Sequence, residues 1–408
     1  LMELELDYLK DDFPELYERR EYILEVVDLE ERRYLETIDE GSRLVSRIAS
    51  SLKEDNQTKF PDDKLVELYD SQGLTPEIVE DILGDKGIEV DAPEDFYRKV
   101  ANLHSESDSD EEDSSIMFGD LSDVEDLDET ELLYYNNPYQ KEFEAEVIWK
   151  GGEYLVLDRT AFYPQGGGQP ADEGVLEREG EEVEVEDVQK VDGVVYHELD
   201  TEDFEVGDEV QGEIDWEIRG KYMRHHTATH ILLGALRELL GDHVWQHGVQ
   251  KGKESSRLDI SHHEKISDEK IHELENIANR IVFQNREVNS FWMGRSEAEE
   301  KYGHSLYQGG VVPGEEIRVV DIEDWNAQAC AGTHCTRTGE VGLIKIIGRE
   351  RIQDGVERLI FASGDSVLNN IQETEKKVKK ASDILRTETG DLDSAAEKLF
   401  KQWKSAEK

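Results

Sequence analysis

Residues 220–240 read GKYMRHHTATHILLGALRELL, and this stretch decides the reading of the chain. It spells one strong helix, with His226 and His230 at positions i and i+4. That spacing sets both imidazoles on one helix face, one above the other, which is a metal-chelating geometry. His225 is a neighbour pointing to the other side. About a hundred residues further on, Cys330-Ala331-Gly332-Thr333-His334 supplies a thiol and a third imidazole. Its small residues suit a tight loop. Three imidazoles and one thiolate form a set that zinc accepts. Either pair alone is more often chance or surface residues. Together, with no other cysteine pair competing, His226, His230, Cys330 and His334 make a candidate site for one Zn2+ ion. Cys335 reads as a small buried residue.

Working outward, residues 131–218 carry short alternating stretches such as Ala145–Trp149 and Val183–Val185, separated by glycine turns. They predict a small, mostly antiparallel barrel-like unit. Residues 219–365 mix helices (about 220–240 and 268–284) with strands (342–347 and 356–362), an α+β pattern. Residues 1–103 read as helical, with boundaries near Gly41, Pro61, Gly73–Pro76 and Pro93, and a helix from Leu65 ending at a Gly73 cap. Residues 104–130, containing SESDSDEEDSS, cannot bury a core and read as an acidic disordered linker or insertion. Residues 366–408 read as a charged helical segment that starts a further region. The expected class is α+β, with a helical domain, a barrel subdomain, a mixed zinc-containing core and a C-terminal helical segment.

The 408 residues suggest two to four domains. Asp and Glu number 98 against 46 Lys and Arg, a net charge of −52 spread along the chain. Such a protein repels itself in dilute buffer and is screened in concentrated salt, where the Debye length falls to about 3 Å at 1 M. A salt-loving source is the simplest reading. The acidity argues against indiscriminate nucleic-acid binding, an argument that weakens in high salt. Two cysteines five apart make no disulfide framework and fit a reducing compartment. No apolar run is long enough to span a bilayer and no charged-then-apolar leader opens the chain, so the expected location is soluble and cytoplasmic.

A second signature is TAFYPQGGGQPADEG, Thr160–Gly174. Three glycines permit close backbone approach and positive φ, and Thr160, Gln169 and Asp172 place polar groups beside them. An ordinary hairpin turn explains the run by residue chemistry alone. A phosphate cradle does not, because no Lys-Ser/Thr follows the glycines.

Thr160–Asp172, the HTATH segment, Gly241–Gln246, Arg257-Leu258-Asp259, the CAGTH segment and Gly355–Arg358 together resemble the editing domain of alanyl-tRNA synthetase. The run ELYDSQGLTPE, residues 67–77, resembles that enzyme's tRNA-recognition helices. The ACAGTHC form looks archaeal, and the acidity suggests a salt-adapted archaeon.

The resemblance implies zinc-dependent hydrolysis of alanine tRNA wrongly charged with serine or glycine. The need is physical: a pocket shaped for a methyl group rejects glycine or a hydroxymethyl only about 10²-fold, so a second site removes errors. His226, His230, Cys330 and His334 match the zinc ligands. Thr160 and Gln169 match a pocket wall, Gln246 a glutamine lining the site, and Ala331 a pocket position. Thr160, as partner for the serine hydroxyl, and Gln246 are the candidate catalytic residues. Asp70 matches an acceptor-stem contact, and Arg219, Lys221 and Arg224 form a basic strip beside the histidines for tRNA phosphates. Zinc could activate water, polarise the ester or position the substrate, and four protein ligands favour a structural or substrate-expanding ion.

With neither an F-R-x-E nor a G-x-G-x-x-R segment found, the class II catalytic domain is expected to be missing. Ligase activity is then not expected, and ATP and Mg2+ serve only the full-length enzyme. The chain reads as a fragment or a naturally reduced protein, with alanine tRNA as partner and oligomerisation assigned to a missing C-terminal region. A free-standing trans-editing hydrolase, or a non-catalytic tRNA-binding module with structural zinc, are the alternatives.

Overall fold

A computed structural model describes residues 1–54, 57, 59–61, 64–66, 68, 74–84, 88, 90, 127–200, 203–307 and 314–406. The chain divides into two units, Leu1–Leu121 and Ser122–Lys408. In the first, a long amphipathic helix, Arg20–Glu54, buries Val45, Ala49 and Leu52 against Phe60, Leu65, Leu68, Leu74 and Val79. The boundary expected at Gly41 is not there. The helix continues through it, and the glycine serves close packing, since a β-carbon at Gly41 would stand 2.5 Å from Leu74 Cδ1. The cap expected at Gly73, the boundary at Pro93 and nearly all of the acidic stretch 104–130 lie outside the described residues.

In the second unit the alternation along Glu142–Gly151 (β2) turns Phe143, Ala145 and Val147 inward and Glu142, Glu144 and Glu146 outward. With Tyr154–Leu157 (β3), Gly174–Arg178 (β5), Glu181–Val191 (β6), Val194–Leu199 (β7) and Glu209–Ile214 (β8) it closes a six-stranded barrel in the order β2-β3-β7-β6-β5-β8. Closure leaves no open edge among these strands. Glu131–Leu132 (β1) pairs in parallel with Arg159–Thr160 (β4), which leads into the glycine-rich loop.

The Asp215 carboxylate starts the next element by accepting the backbone N–H groups of Glu217 at 2.9 Å and Ile218 at 3.1 Å. Such a cap contributes roughly 1 kcal/mol. The helix it caps, Trp216–Leu240, is the one expected at 220–240 with one more turn. It shares a core with the helix Asp268–Gln284 and with a four-stranded sheet. That sheet has the order β14-β15-β10-β9, formed by Ile344–Gln353, Val356–Ser363, Ser256–Ser261 and Gln246–Gln250. Leu232, Leu236, Leu258, Leu274 and Phe361 are each fully buried there, worth roughly 1.5–3 kcal/mol apiece. A third sheet orders Val288–Gly294 (β11), Glu316–Ile322 (β12) and Asn326–Ala329 (β13). Helices Asp365–Leu385 and Leu392–Ala406 follow. Among the described residues no helix is long and apolar enough to cross a membrane.

Candidate metal centre and its cavity

The Trp216–Leu240 helix is buried almost all round at its middle, which encloses His226 and His230 one turn apart. β13 delivers the other two donors. It is fixed to the helix by Asn326 Nδ2 donating to His230 O at 2.9 Å and Trp325 Nε1 donating to Ile231 O at 3.2 Å. Gly234 permits that approach, since a β-carbon there would lie 2.5 Å from Trp325 Nε1. Past β13 the chain turns at Cys330–Gly332, held by Arg318 Nη1 donating to the carbonyls of Cys330 at 2.8 Å and Gly332 at 2.9 Å.

One donor atom from each of His226, His230, Cys330 and His334 lies within 4.8 Å of the others. Cys330 Sγ is 3.2 Å from His226 Nε2 and 3.4 Å from His334 Nε2. The opposite nitrogens of these two rings are used elsewhere. His226 Nδ1 meets Gln169 Oε1 at 2.9 Å. His334 Nδ1 meets Thr227 Oγ1 at 3.2 Å, and that hydroxyl donates to Met223 O at 2.9 Å. Both rings therefore carry the proton on Nδ1 and aim an Nε2 lone pair at the thiol, the arrangement by which outer hydrogen bonds orient metal-binding histidines. His230 Nδ1 is buried without a hydrogen-bond partner among the described residues. Burial depresses the proton affinity of all three rings: His230 is lowered to about 3, and His226 and His334 fall well below the ordinary value, with nearby cations adding. Neutral imidazoles, an orphaned buried nitrogen and a thiol fit a zinc ion.

The set opens on a cavity of about 380 Å3. Tyr135, Tyr163 and Trp292 form an aromatic side, with Tyr135 and Trp292 edge to face at 5.6 Å. Lys190, Lys251 and Arg318 bring positive charge, and Arg318 lies 5.0 Å from the Tyr135 ring centre. Lys251 Nζ donates to Gly167 O at 2.6 Å, and burial lowers its pKa to about 8. Neither Lys251 nor Arg318 forms an ion pair among the described residues, against the strongly acidic balance of the chain. Gln246 and Ala331 line the cavity, as does Gln328, whose Nε2 is buried without a hydrogen-bond partner.

Several expected site residues sit differently. Thr160 is fully buried and does not line the cavity. Its hydroxyl accepts from Phe162 N at 3.1 Å and donates to His197 Nε2 at 2.8 Å, while His197 Nδ1 donates to Leu155 O at 3.3 Å. The hydroxyl is thus engaged by two protein partners and lies outside the residues that line the cavity. Gln169 is also fully buried and supports His226 instead of forming the pocket wall. Arg219 leaves the basic strip. It is fully buried, its guanidinium paired with Asp172 and donating to Ala161 O at 2.7 Å and Pro138 O at 3.1 Å. Lys221 meets Glu254 at 3.0 Å, and Arg224 lies 3.5 Å from Asp365. Asp70 lies outside the described residues. Lys251, Arg318, Tyr135, Trp292 and Gln328 had not been singled out. Arg318 and Gln328 read only as a basic and a polar residue in strands, Trp292 and Tyr135 as aromatics in a strand and a short helix, and Lys251 as a lysine just past a strand, none of which marks a site.

Comparison with known proteins gives two family matches. Residues 1–218 match the family described as "tRNA synthetases class II (A)". Residues 317–360 match "Threonyl and Alanyl tRNA synthetase second additional domain", the span that holds Arg318, Cys330 and His334. The chain is 49% identical to the alanine–tRNA ligase of Pyrococcus abyssi over 409 aligned residues, covering 100% of this chain and 44% of that protein. It is 46% identical to that of Thermococcus kodakarensis and 47% identical to that of Methanopyrus kandleri, again covering 100% of this chain and 44% of each relative. The chain thus spans under half the length of these relatives. The first match corrects one expectation: the class II part of the synthetase is not missing, because residues 1–218 match the class II model.

Proposed function

Because this chain belongs to the alanyl-tRNA synthetase family, we propose that its four-residue cavity hydrolyses alanine tRNA mischarged with serine or glycine. The observation that carries this reading is the convergence of His226, His230, Cys330 and His334 on one face of a cavity lined with aromatic rings and cations. His226, His230, Cys330 and His334 would hold a zinc ion, which would supply positive charge beside the ester.

The chain's own groups do the rest. Tyr135 and Trp292 offer faces on which the terminal adenine of a tRNA can stack, an interaction worth roughly 1–3 kcal/mol per base. Lys251 and Arg318, neither of them in an ion pair among the described residues, face the 3′ end and so hold its ribose and phosphate oxygens. Gln328 Nε2 and Gln246 place side-chain amides at the aminoacyl end. A serine hydroxyl can accept from such an amide, whereas alanine leaves it unpaired, which discriminates against the correct product. With Thr160 sealed in its own hydrogen bonds, selectivity falls to the amides that reach the cavity.

The protein would be incubated in excess over tRNA carrying radiolabelled serine or alanine, and release followed in single turnovers. Serine release well above the spontaneous rate, with alanine left in place, is expected. Equal rates for the two esters, or none above background, would reject the proposal.

A further inference from the structure

A second cluster of histidines lies away from this cavity, where the end of the Trp216–Leu240 helix meets the end of β10. The helix stops at Gly241, whose φ of 112° turns the chain so that His243 follows at once. His262 and His263 follow Ser261, the last residue of β10. The two segments are stitched together: Trp245 N donates to Ser261 Oγ at 2.9 Å, Ser261 N donates to Trp245 O at 2.9 Å and Ser261 Oγ donates to His243 O at 2.8 Å, while His262 N donates to Gly355 O at 2.8 Å in the turn before β15. The ring centres are 5.2 Å apart for His243 and His262, 5.3 Å for His243 and His263, and 4.9 Å for His262 and His263. One nitrogen from each ring lies within 4.8 Å of the other two. His243 Nε2 and His262 Nδ1 are 2.9 Å apart and share a proton. The other nitrogen of His262, Nε2, is buried without a hydrogen-bond partner among the described residues. Leaving a buried polar atom unsatisfied costs roughly 1–3 kcal/mol, so the ring is held in place against a penalty that a cation taken through Nε2 would relieve.

We propose that His243, His262 and His263 form a second metal site, which takes a divalent cation of the zinc and nickel class through imidazole nitrogens alone. The donor set selects the ion. Three imidazoles without thiolate or carboxylate suit Zn2+, Ni2+ and Cu2+ and exclude Ca2+ and Mg2+, which require oxygen. Three protein ligands leave one tetrahedral position for water, and the partial exposure of His243 and His263 gives an ion its way in. Of the two cations nearby, Lys270 and Arg351, the second is itself 3.4 Å from Glu357 and 3.6 Å from Asp354. The site is independent of the editing cavity, from which it differs in having no sulfur.

That difference makes the two sites separable. The intact chain would be stripped with chelator and titrated with Co2+, following absorption and the number of ions bound. Two ions per chain are expected. One develops the near-ultraviolet thiolate band from Cys330, and the other shows only weak ligand-field bands. His263→Gln and His243→Gln should each bind one ion with the thiolate band intact, and unfold in metal-free buffer at close to the parent temperature. One ion bound by the parent chain, or two ions bound by both variants, would overturn the second site. Loss of the thiolate band in the parent would instead count against the Cys330 set.

Discussion

Gln169 Oε1 accepts the Nδ1–H of His226 at 2.9 Å while Gln169 Nε2 donates to Thr333 Oγ1 at 2.9 Å. A single buried amide from the glycine-rich loop thus links the helix bearing two donors to the loop bearing the other two. Gln169→Leu keeps the size and removes both bonds, freeing the His226 ring to turn or change tautomer. Zinc affinity, measured by competition with a chelator, should fall ~10–100-fold. Unchanged affinity would show that the linkage does not hold the ligand set.

Gly332 backs directly onto the same ring. A β-carbon there would lie 2.0 Å from His226 Cε1 and 3.1 Å from Gln169 Oε1. Gly332→Ala must displace a ligand or the loop, so zinc content should drop below one ion per chain at the Cys330 set. Overpacking of this kind costs roughly 1–3 kcal/mol. Full zinc occupancy with an unchanged melting temperature would refute it.

The two cysteines should separate cleanly. Cys335 is buried outside the ligand set, its thiol pushed up to about 12 by burial, and its backbone N–H donates to Thr227 Oγ1 at 3.1 Å. Cys330→Ser should lose the zinc bound with His226, and Cys335→Ala should keep it. Metal analysis showing the reverse would overturn the assignment.

How much of this was legible in the sequence follows from the range of each contact. The i, i+4 pair in HTATH fixes its own geometry, and the CAGTH loop carries complementary donors, so the four residues that the fold brings within 4.8 Å of one another can be picked out from the sequence. The alternation along 142–151 likewise announces a strand with one buried face. The partner of Thr160 was not legible because β4 turns its hydroxyl toward His197, 37 residues away in sequence. Arg219 looked like the start of an exposed basic strip because its partner Asp172 lies 47 residues earlier. Lys251 and Arg318 earn their place only when three sheets and a barrel come together around the helix.

The Thr160–His197 pair gives a test of that placement. Thr160→Val removes the donor to His197 Nε2 and should destabilise the fold by about 1–3 kcal/mol, yet leave the serine-to-alanine release ratio unchanged. A changed ratio would return Thr160 to the substrate pocket. Burial also lowers the His197 pKa to about 4. The unfolded chain takes up this proton below its ordinary value of about 6.5, whereas the folded chain does so only near 4. His197 therefore contributes stability that is present above pH 6.5 and is lost as pH falls toward 4. An NMR titration of the folded chain with a His197 midpoint near 6.5 would contradict this.

The net charge of −52 sets the response to salt. Screening relieves self-repulsion, so the melting temperature should climb from dilute buffer to molar potassium chloride. A flat or falling curve would show that the acidity is not a salt adaptation.

The most direct measurement is serine release from mischarged alanine tRNA by the chain in three states: metal-stripped, reloaded with one zinc equivalent, and carrying His226→Ala after reloading. Single turnovers at saturating protein keep weak tRNA binding from masking the chemistry. Release is predicted only for the reloaded parent chain, with the other two at the spontaneous rate. Release that persists in the stripped chain and in folded His226→Ala would contradict zinc-dependent editing at this cavity.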